Sequence, residues 1–305
     1  MRLMVFDVGG TAIKYSVVSD GEVLASGEKP TPRDSLEDFV ATIASIKEAQ
    51  APDAQGIAMS LPGIIDTANG YCHTGGALAY NYECPLGEIL SEVCGCPVAL
   101  ANDAKCAALA ELREGSLRGC RDGCVLILGT AVGMALVLDG QLRYGPRGAA
   151  GELSLAASGL GGWGDIHIHY GAITSTSGLL RHARDLMGLT REQLHDGRTF
   201  FSLLDAGEKG AKEAFDLFCR EVALQVYNLC VTLDLTRVAI GGGISARDDV
   251  LTGIVRALDE LVEGLPPSVR AAFAVPEVVR CTFGASANQR GAHHVFCERY
   301  GSEFT

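Results

Sequence analysis

The apolar positions of this chain fall in short runs. Leu3 to Phe6, Pro97 to Leu100, Cys124 to Leu128 and Val238 to Ile240 are each bounded by Gly, Asp or Asn, the pattern of buried strands closed by turn residues. Asp20-Gly21 and Asp139-Gly140 are tight-turn pairs that join one strand to the next. The Ala-rich stretch Ala104 to Glu114 reads as an amphipathic helix that follows a buried strand, with Asn102 or Asp103 as its natural cap.

Comparing the chain with itself organises these elements. Gly10-Thr11-Ala12-Ile13 to Val18-Ser19-Asp20-Gly21 recurs as Gly129-Thr130-Ala131-Val132 to Val137-Leu138-Asp139-Gly140. In each copy an apolar strand runs into Gly-Thr, a second strand follows, and Asp-Gly turns into a third, so each copy reads as a three-stranded antiparallel meander. Further on, Pro97 to Leu100 runs into Asn102-Asp103 and Arg237 to Ile240 runs into Gly241-Gly242-Gly243; the two segments match in kind, each a buried strand followed by an amphipathic helix. The pattern predicts an α/β protein of two related domains, residues 1–115 and 116–305, each a mixed sheet flanked by helices, with a cleft between them faced by the glycine hairpins. Gly161 to Leu180 breaks the parallel and reads as an insertion, in which Gly161-Gly162-Trp163-Gly164 is either a ligand-facing loop or an ordinary surface one. His167 and His169 alternate as on a strand.

Composition narrows the function. A length of 305 residues exceeds what one core usually organises and leaves room for two domains. The net charge of -12 opposes a duplex nucleic-acid partner, which needs a basic surface. No signal-peptide core and no membrane-length apolar stretch occurs, so a cytoplasmic protein with no membrane partner is expected. The 11 cysteines then read as reduced thiols; Cys94 and Cys96 have no second Cys or His pair at zinc-finger spacing.

The candidate chemistry lies at the strand ends. Gly9, Gly10 and Thr11, with Lys14 beyond, allow backbone N–H groups and side-chain donors to approach a phosphate. Asp7 is suited to hold Mg²⁺ through water. Gly129, Thr130 and Gly133 repeat the motif, and two facing hairpins can grip a polyphosphate. Gly241, Gly242 and Gly243 offer flat backbone to an adenosine or a phosphate. Asp103, besides capping, can accept a hydroxyl proton during attack on a γ-phosphorus while Asn102 orients the acceptor. Glu152, in Gly148-Ala149-Ala150-Gly151-Glu152, suits vicinal hydroxyls, and Gly63, Gly75 and Gly76 are turn positions that can line a sugar pocket.

Asp7-Val8-Gly9-Gly10-Thr11, Leu61-Pro62-Gly63-Ile64-Ile65-Asp66, Asn102-Asp103-Ala104, Leu128-Gly129-Thr130-Ala131-Val132-Gly133, Gly148-Ala149-Ala150-Gly151-Glu152 and Ile240-Gly241-Gly242-Gly243-Ile244-Ser245, in that order, resemble the motifs of the ROK family of sugar kinases and sugar-responsive repressors over nearly the whole chain. The resemblance implies the two-domain actin-like ATPase (ribonuclease H-like) fold. It also implies ATP held by the Gly10, Gly129 and Gly241 regions, Asp103 as base, Asn102 and Glu152 on the sugar, transfer to a 6-hydroxyl, and a homodimer.

Two departures matter. The family commonly continues Gly-Glu-x-Gly-His, whereas Gly151-Glu152-Leu153 here runs on to Ser154-Leu155. The family's cysteine-rich zinc loop is replaced by Gly159 to Ile173. Zinc is therefore not expected. The chain resembles zinc-free β-glucoside kinases, and a hexose or β-glucoside is favoured slightly over N-acetylmannosamine. Glucose remains a further candidate. A DNA-binding repressor would need an added N-terminal module, for which the first strand at Leu3 leaves no room. A non-catalytic sugar or nucleotide sensor and another actin-like ATPase are the remaining alternatives.

Overall fold

The computed structural model describes residues 1–159 and 164–304, and divides into two compact units. Gly161, Gly162 and Trp163 lie outside the described residues. The first unit comprises 1–114, 142–150 and 285–304 of the described chain, and the second 115–141 and 151–284. Segment 142–150 and the C-terminal helix thus join the first unit, to which the sequence pattern had not assigned them.

In the first unit, β1 (Arg2–Val8), β2 (Ala12–Ser19) and β3 (Glu22–Pro30) form the expected antiparallel meander. Asp20 and Gly21 both take positive φ, 51° and 85°, as a type I′ hairpin turn requires. Helix α1 (Leu36–Gln50) starts where the Ser35 side chain accepts from the Asp38 amide, and it buries Phe39, Val40, Ile43 and Ile46, one face of a 3.6-residue period. The chain continues through β4 (Gly56–Leu61), the small hairpin β5 (Ile65–Asp66) and β6 (Tyr71–Cys72), α2 (Leu86–Cys94), β7 (Val98–Asn102) and α3 (Asp103–Glu114). The sheet order is β3-β2-β1-β4-β7, with β4 parallel to both β1 and β7. Every residue of β4 and β7 is buried, as in strands covered on both faces.

The second unit repeats this plan. Its strands β8 (Gly123–Leu128), β9 (Val132–Leu138) and β10 (Gln141–Arg143, of which only Gln141 belongs to the second unit) precede α4 (Tyr170–Thr174), α5 (Thr176–Met187), α6 (Gly197–Asp205) and the 25-residue α7 (Lys209–Leu233). Then come β11 (Arg237–Gly241), α8 (Asp248–Glu263), α9 (Pro267–Arg270) and β12 (Glu277–Arg280). The order β10-β9-β8-β11-β12 matches the first sheet position for position, and Asp139 and Gly140 repeat the positive φ pair at 55° and 74°.

The topology corrects one correspondence. Strand β11 pairs with β8 as β4 pairs with β1, so β11 is the counterpart of β4, not of the β7 segment it resembles in sequence. The true counterpart of β7 is the edge strand β12. No strand forms at His167 and His169 either: Ile166–Ile168 is a short 3-10 turn capped by Asp165, and His169 joins only an isolated bridge to Ala157.

The C-terminal helix α10 (Ala287–Tyr300) returns to the first unit and packs on α3 and the sheet. Alternate residues of β1 divide between two cores. Met4 and Phe6 meet Phe39 and Ile43 on one face, and Leu3 and Val5 meet Leu109, Val295 and Phe296 on the other. A Cβ at Gly291 would lie 1.8 Å from the Cys106 carbonyl oxygen, so α10 approaches α3 at a distance only glycine allows there. Among the described residues no helix is long and apolar enough to cross a membrane.

Candidate active site

The carboxyl-terminal ends of β1, β4 and β7 bring one group of candidates together in the first unit. Asn102 ends β7 as a buried residue. Its Nδ2 donates to the Gly63 carbonyl at 3.0 Å and to Asp103 Oδ1 at 3.0 Å, while its Oδ1 accepts from the Lys105 amide at 3.2 Å. The amide side chain therefore caps α3 and ties the helix to the loop after β4. Asp103 Oδ1 also accepts from the Ala104 amide at 2.8 Å.

Gly63 holds φ at 99°, and a Cβ there would lie 2.2 Å from the Thr74 carbonyl oxygen and 3.0 Å from the Gly76 nitrogen. Gly76, at φ 55°, would in turn meet Gly63 and Pro62, and Gly75 would meet the Leu78 carbonyl oxygen at 1.8 Å. The three glycines thus form one close-packed turn against Asn102. The hairpin turn at Gly9 and Gly10 adjoins it, since a Cβ on Gly10 would be 2.9 Å from that of Ala77.

In that hairpin the Gly9 amide donates to the Ala12 carbonyl, the Thr31 hydroxyl donates to the Gly9 carbonyl, and Arg33 donates to that of Gly10. Thr11 is exposed, and exposed Lys14 sits opposite Asp7 in the β1–β2 register. Asp7 Oδ1 accepts from Asn288 Nδ2 at 2.9 Å, an α10 residue that no sequence pattern singled out.

Burial raises the Asp7 carboxyl above its ordinary value, opposed by the Asn288 hydrogen bond and by Lys14. Burial also raises Asp103, opposed by the Ala104 amide and reinforced by repulsion from Asp7. The two carboxylates are therefore electrostatic neighbours, each costly to ionise away from water.

The second unit carries a separate cavity of about 690 Å³. Gly129, Thr130 and Gly243 line it, together with Thr176, Phe201 and Arg247. The Gly129 amide donates to the Ala131 carbonyl as Gly9 does to Ala12, and the Gly129 carbonyl accepts from the Thr176 amide at 2.8 Å. Arg247 stands 4.5 Å over the Phe201 ring and forks onto Asp205 and Asp249.

The other glycines here lie off the cavity wall. Gly133 is a strand residue opposite Ile127. A Cβ on Gly241 would be 2.6 Å from Ile127 Cδ1, and Gly242, at φ 95°, would meet the Leu128 carbonyl oxygen at 2.3 Å. These two permit the close approach of β11 to β8 and leave the open position to Gly243. Glu152 lies in the second unit, just before a 3-10 turn over Leu153–Leu155. Phe201 of α6 and Arg247, which stands just before α8, were not legible, because isolated aromatic and charged residues carry no motif of their own.

Two sheets of identical order, each opening on a glycine hairpin, define the actin-like ATPase class of fold. Within it the chain belongs to the ROK family, whose model matches residues 3–298. It is 31% identical to a β-glucoside kinase of Listeria monocytogenes over 81% of this chain and 84% of that protein. A ROK family protein from Streptococcus pneumoniae, solved in complex with sucrose, superposes with a TM-score of 0.85 at 27% identity, covering 99% of this chain and 100% of that one. The ROK hexokinase of Thermus thermophilus gives 0.79 at 26%, covering 97% of each.

Proposed function

We propose that this protein is an ATP-dependent sugar kinase whose acceptor is a hexose or a β-glucoside. The observation that carries the reading is the grouping of Asn102, Asp103, Asp7 and the Gly63–Gly76 turn at one end of the first sheet. Asp103 takes the proton of the attacking sugar hydroxyl, the 6-hydroxyl in our reading, and its raised affinity for a proton suits it to that step. Asn102, fixed by Gly63 and the α3 cap, orients the sugar with Glu152, and Gly63, Gly75 and Gly76 shape the wall. Gly9, Gly10, Thr11 and Lys14 serve the phosphates from one hairpin and Gly129 and Thr130 from the other, Gly133 being a paired strand residue behind it. The nucleoside is assigned to the cavity beside Gly241, Gly242 and Gly243.

A magnesium ion fits this donor set. Mg²⁺ on a nucleotide needs one or two carboxylates besides phosphates and water, and Asp7, at the end of β1, supplies one. Asp7 would hold it through water, where it neutralises phosphate charge. The reading includes no zinc. A cytoplasmic setting and a homodimer complete it.

The β-glucoside preference rests on the 31% identical relative named as a β-glucoside kinase and on the missing Gly-His continuation after Glu152. ADP release with Mg-ATP across glucose, cellobiose, other β-glucosides, N-acetylmannosamine and N-acetylglucosamine tests it. Turnover fastest on a β-glucoside is expected; ATP hydrolysis that no sugar stimulates would refute the kinase reading.

A further inference from the structure

The first unit holds a cavity of about 460 Å³ that the proposed reaction does not use. Its walls are the tip of the β5–β6 hairpin, with Asp66 and Asn69; segment 144–148, with Tyr144; and the last turns of α10, with Glu298 and Arg299. The size is that of a small-molecule site. The wall is built to fixed shape: Gly148, at φ 72°, packs so close to β5 that a Cβ would lie 2.1 Å from the Ile65 carbonyl oxygen.

The polar groups select the ligand class. Asp66 is held by the Asn69 amide and Nδ2, Glu298 engages Arg113 through Oε1, and Arg299 Nη1 donates to the Thr67 carbonyl at 2.7 Å. Carboxylates accept at about four sites and a guanidinium offers five donors, so both retain capacity toward the cavity. Glu298 is paired with Arg113, which leaves Asp66 and Arg299 as the remaining charged lining residues, one of each sign, so a neutral ligand is favoured over an anion or a cation. That ligand must donate to carboxylates and accept from a guanidinium within the same small volume. A hydroxyl does both, and the ring of Tyr144 adds an apolar surface for the C–H face of a sugar.

We propose that this cavity is a second carbohydrate site, taking a neutral sugar of up to disaccharide size, separate from the Asn102–Asp103 group. Binding there stands independently of the kinase reading; only its consequence for turnover rests on it. The hairpin that forms one wall leads to Gly63 and Gly76 at its other end, and segment 144–150 continues in sequence to Glu152. Occupancy therefore bears on two segments assigned to the substrate.

Calorimetric titration of the full chain with cellobiose and with glucose, in the absence of nucleotide, tests the site. Asn102→Ala should retain one sugar-binding event. That event should weaken at least tenfold in Asn102→Ala/Tyr144→Ala and in Asn102→Ala/Glu298→Gln, both with melting curves like that of Asn102→Ala. Loss of all binding of both sugars in Asn102→Ala would overturn the proposal, as would an event unchanged by both added substitutions. Failure of the kinase reading would appear separately, as absence of sugar-stimulated ADP release.

Discussion

Replacing Gly63 with alanine tests the packing that positions Asn102. At φ 99° an L-residue pays about 1–3 kcal/mol of backbone strain. The new Cβ would stand 2.2 Å from the Thr74 carbonyl oxygen, and relieving such overpacking costs about 1–3 kcal/mol more. The middle of the combined range is about 4 kcal/mol, which lowers the melting temperature of a domain of this size by about 8–16 °C. Displacing the Gly63 carbonyl also misaligns the Asn102 amide that donates to it, so the sugar KM should rise. Gly95→Ala is the control: its φ of 65° is also left-handed, but nothing lies within 4 Å of the added Cβ, so only about 1–2 kcal/mol is lost and the sugar KM stays constant. Differential scanning calorimetry with steady-state kinetics decides. If Gly63→Ala melts no lower than Gly95→Ala and keeps its KM, the close-packed turn is not what holds Asn102.

Asp103→Asn should lower kcat by about 10²–10⁴-fold, the usual worth of a general base, yet raise the melting temperature at neutral pH, because a carboxylate whose proton affinity is raised by burial destabilises the fold when ionised. The same sign sets the pH dependence of stability: the contribution of Asp7 and Asp103 is full below their unfolded values and is lost as pH rises through the higher folded ones, so the stability gap between wild type and Asp103→Asn should close on acidification. The acid limb of the kcat/KM profile should lie above the ordinary carboxylate range, and a limb unmoved from that range would contradict the burial. Arg247→Ala opens the wall of the second-unit cavity and should raise the KM for ATP about tenfold, or about 1.4 kcal/mol, with the sugar KM unchanged; an equal rise in both would remove Arg247 from the nucleotide side.

Much of the fold was legible because its signals are local. The Asp-Gly turns need two positive φ values, which few residue pairs supply, and a 119-residue offset between identical turns marks a duplication. A cap at Asn102 or Asp103 was legible because the pair stands between a buried strand and an Ala-rich helix, and it is Asn102 whose Oδ1 accepts from the Lys105 amide. What escaped depends on contacts distant in sequence. Strand β11 follows the same local pattern as β7, and only pairing shows that it occupies the place of β4. Asn288 reaches Asp7 across 281 positions, and nothing near it in the chain announces that. Alternation at His167 and His169 suggested a strand, but Asp165 caps a turn there instead; two alternate residues are too few to define a period.

The most direct test of the kinase reading is ³¹P and ¹³C NMR of the product formed from Mg-ATP and a sugar that stimulates ADP release. A sugar 6-phosphate made by the wild-type chain and reduced at least a hundredfold in Asp103→Asn is the predicted result. ATP converted to ADP and free phosphate with no sugar phosphate, or a sugar phosphate formed equally well by Asp103→Asn, would contradict it.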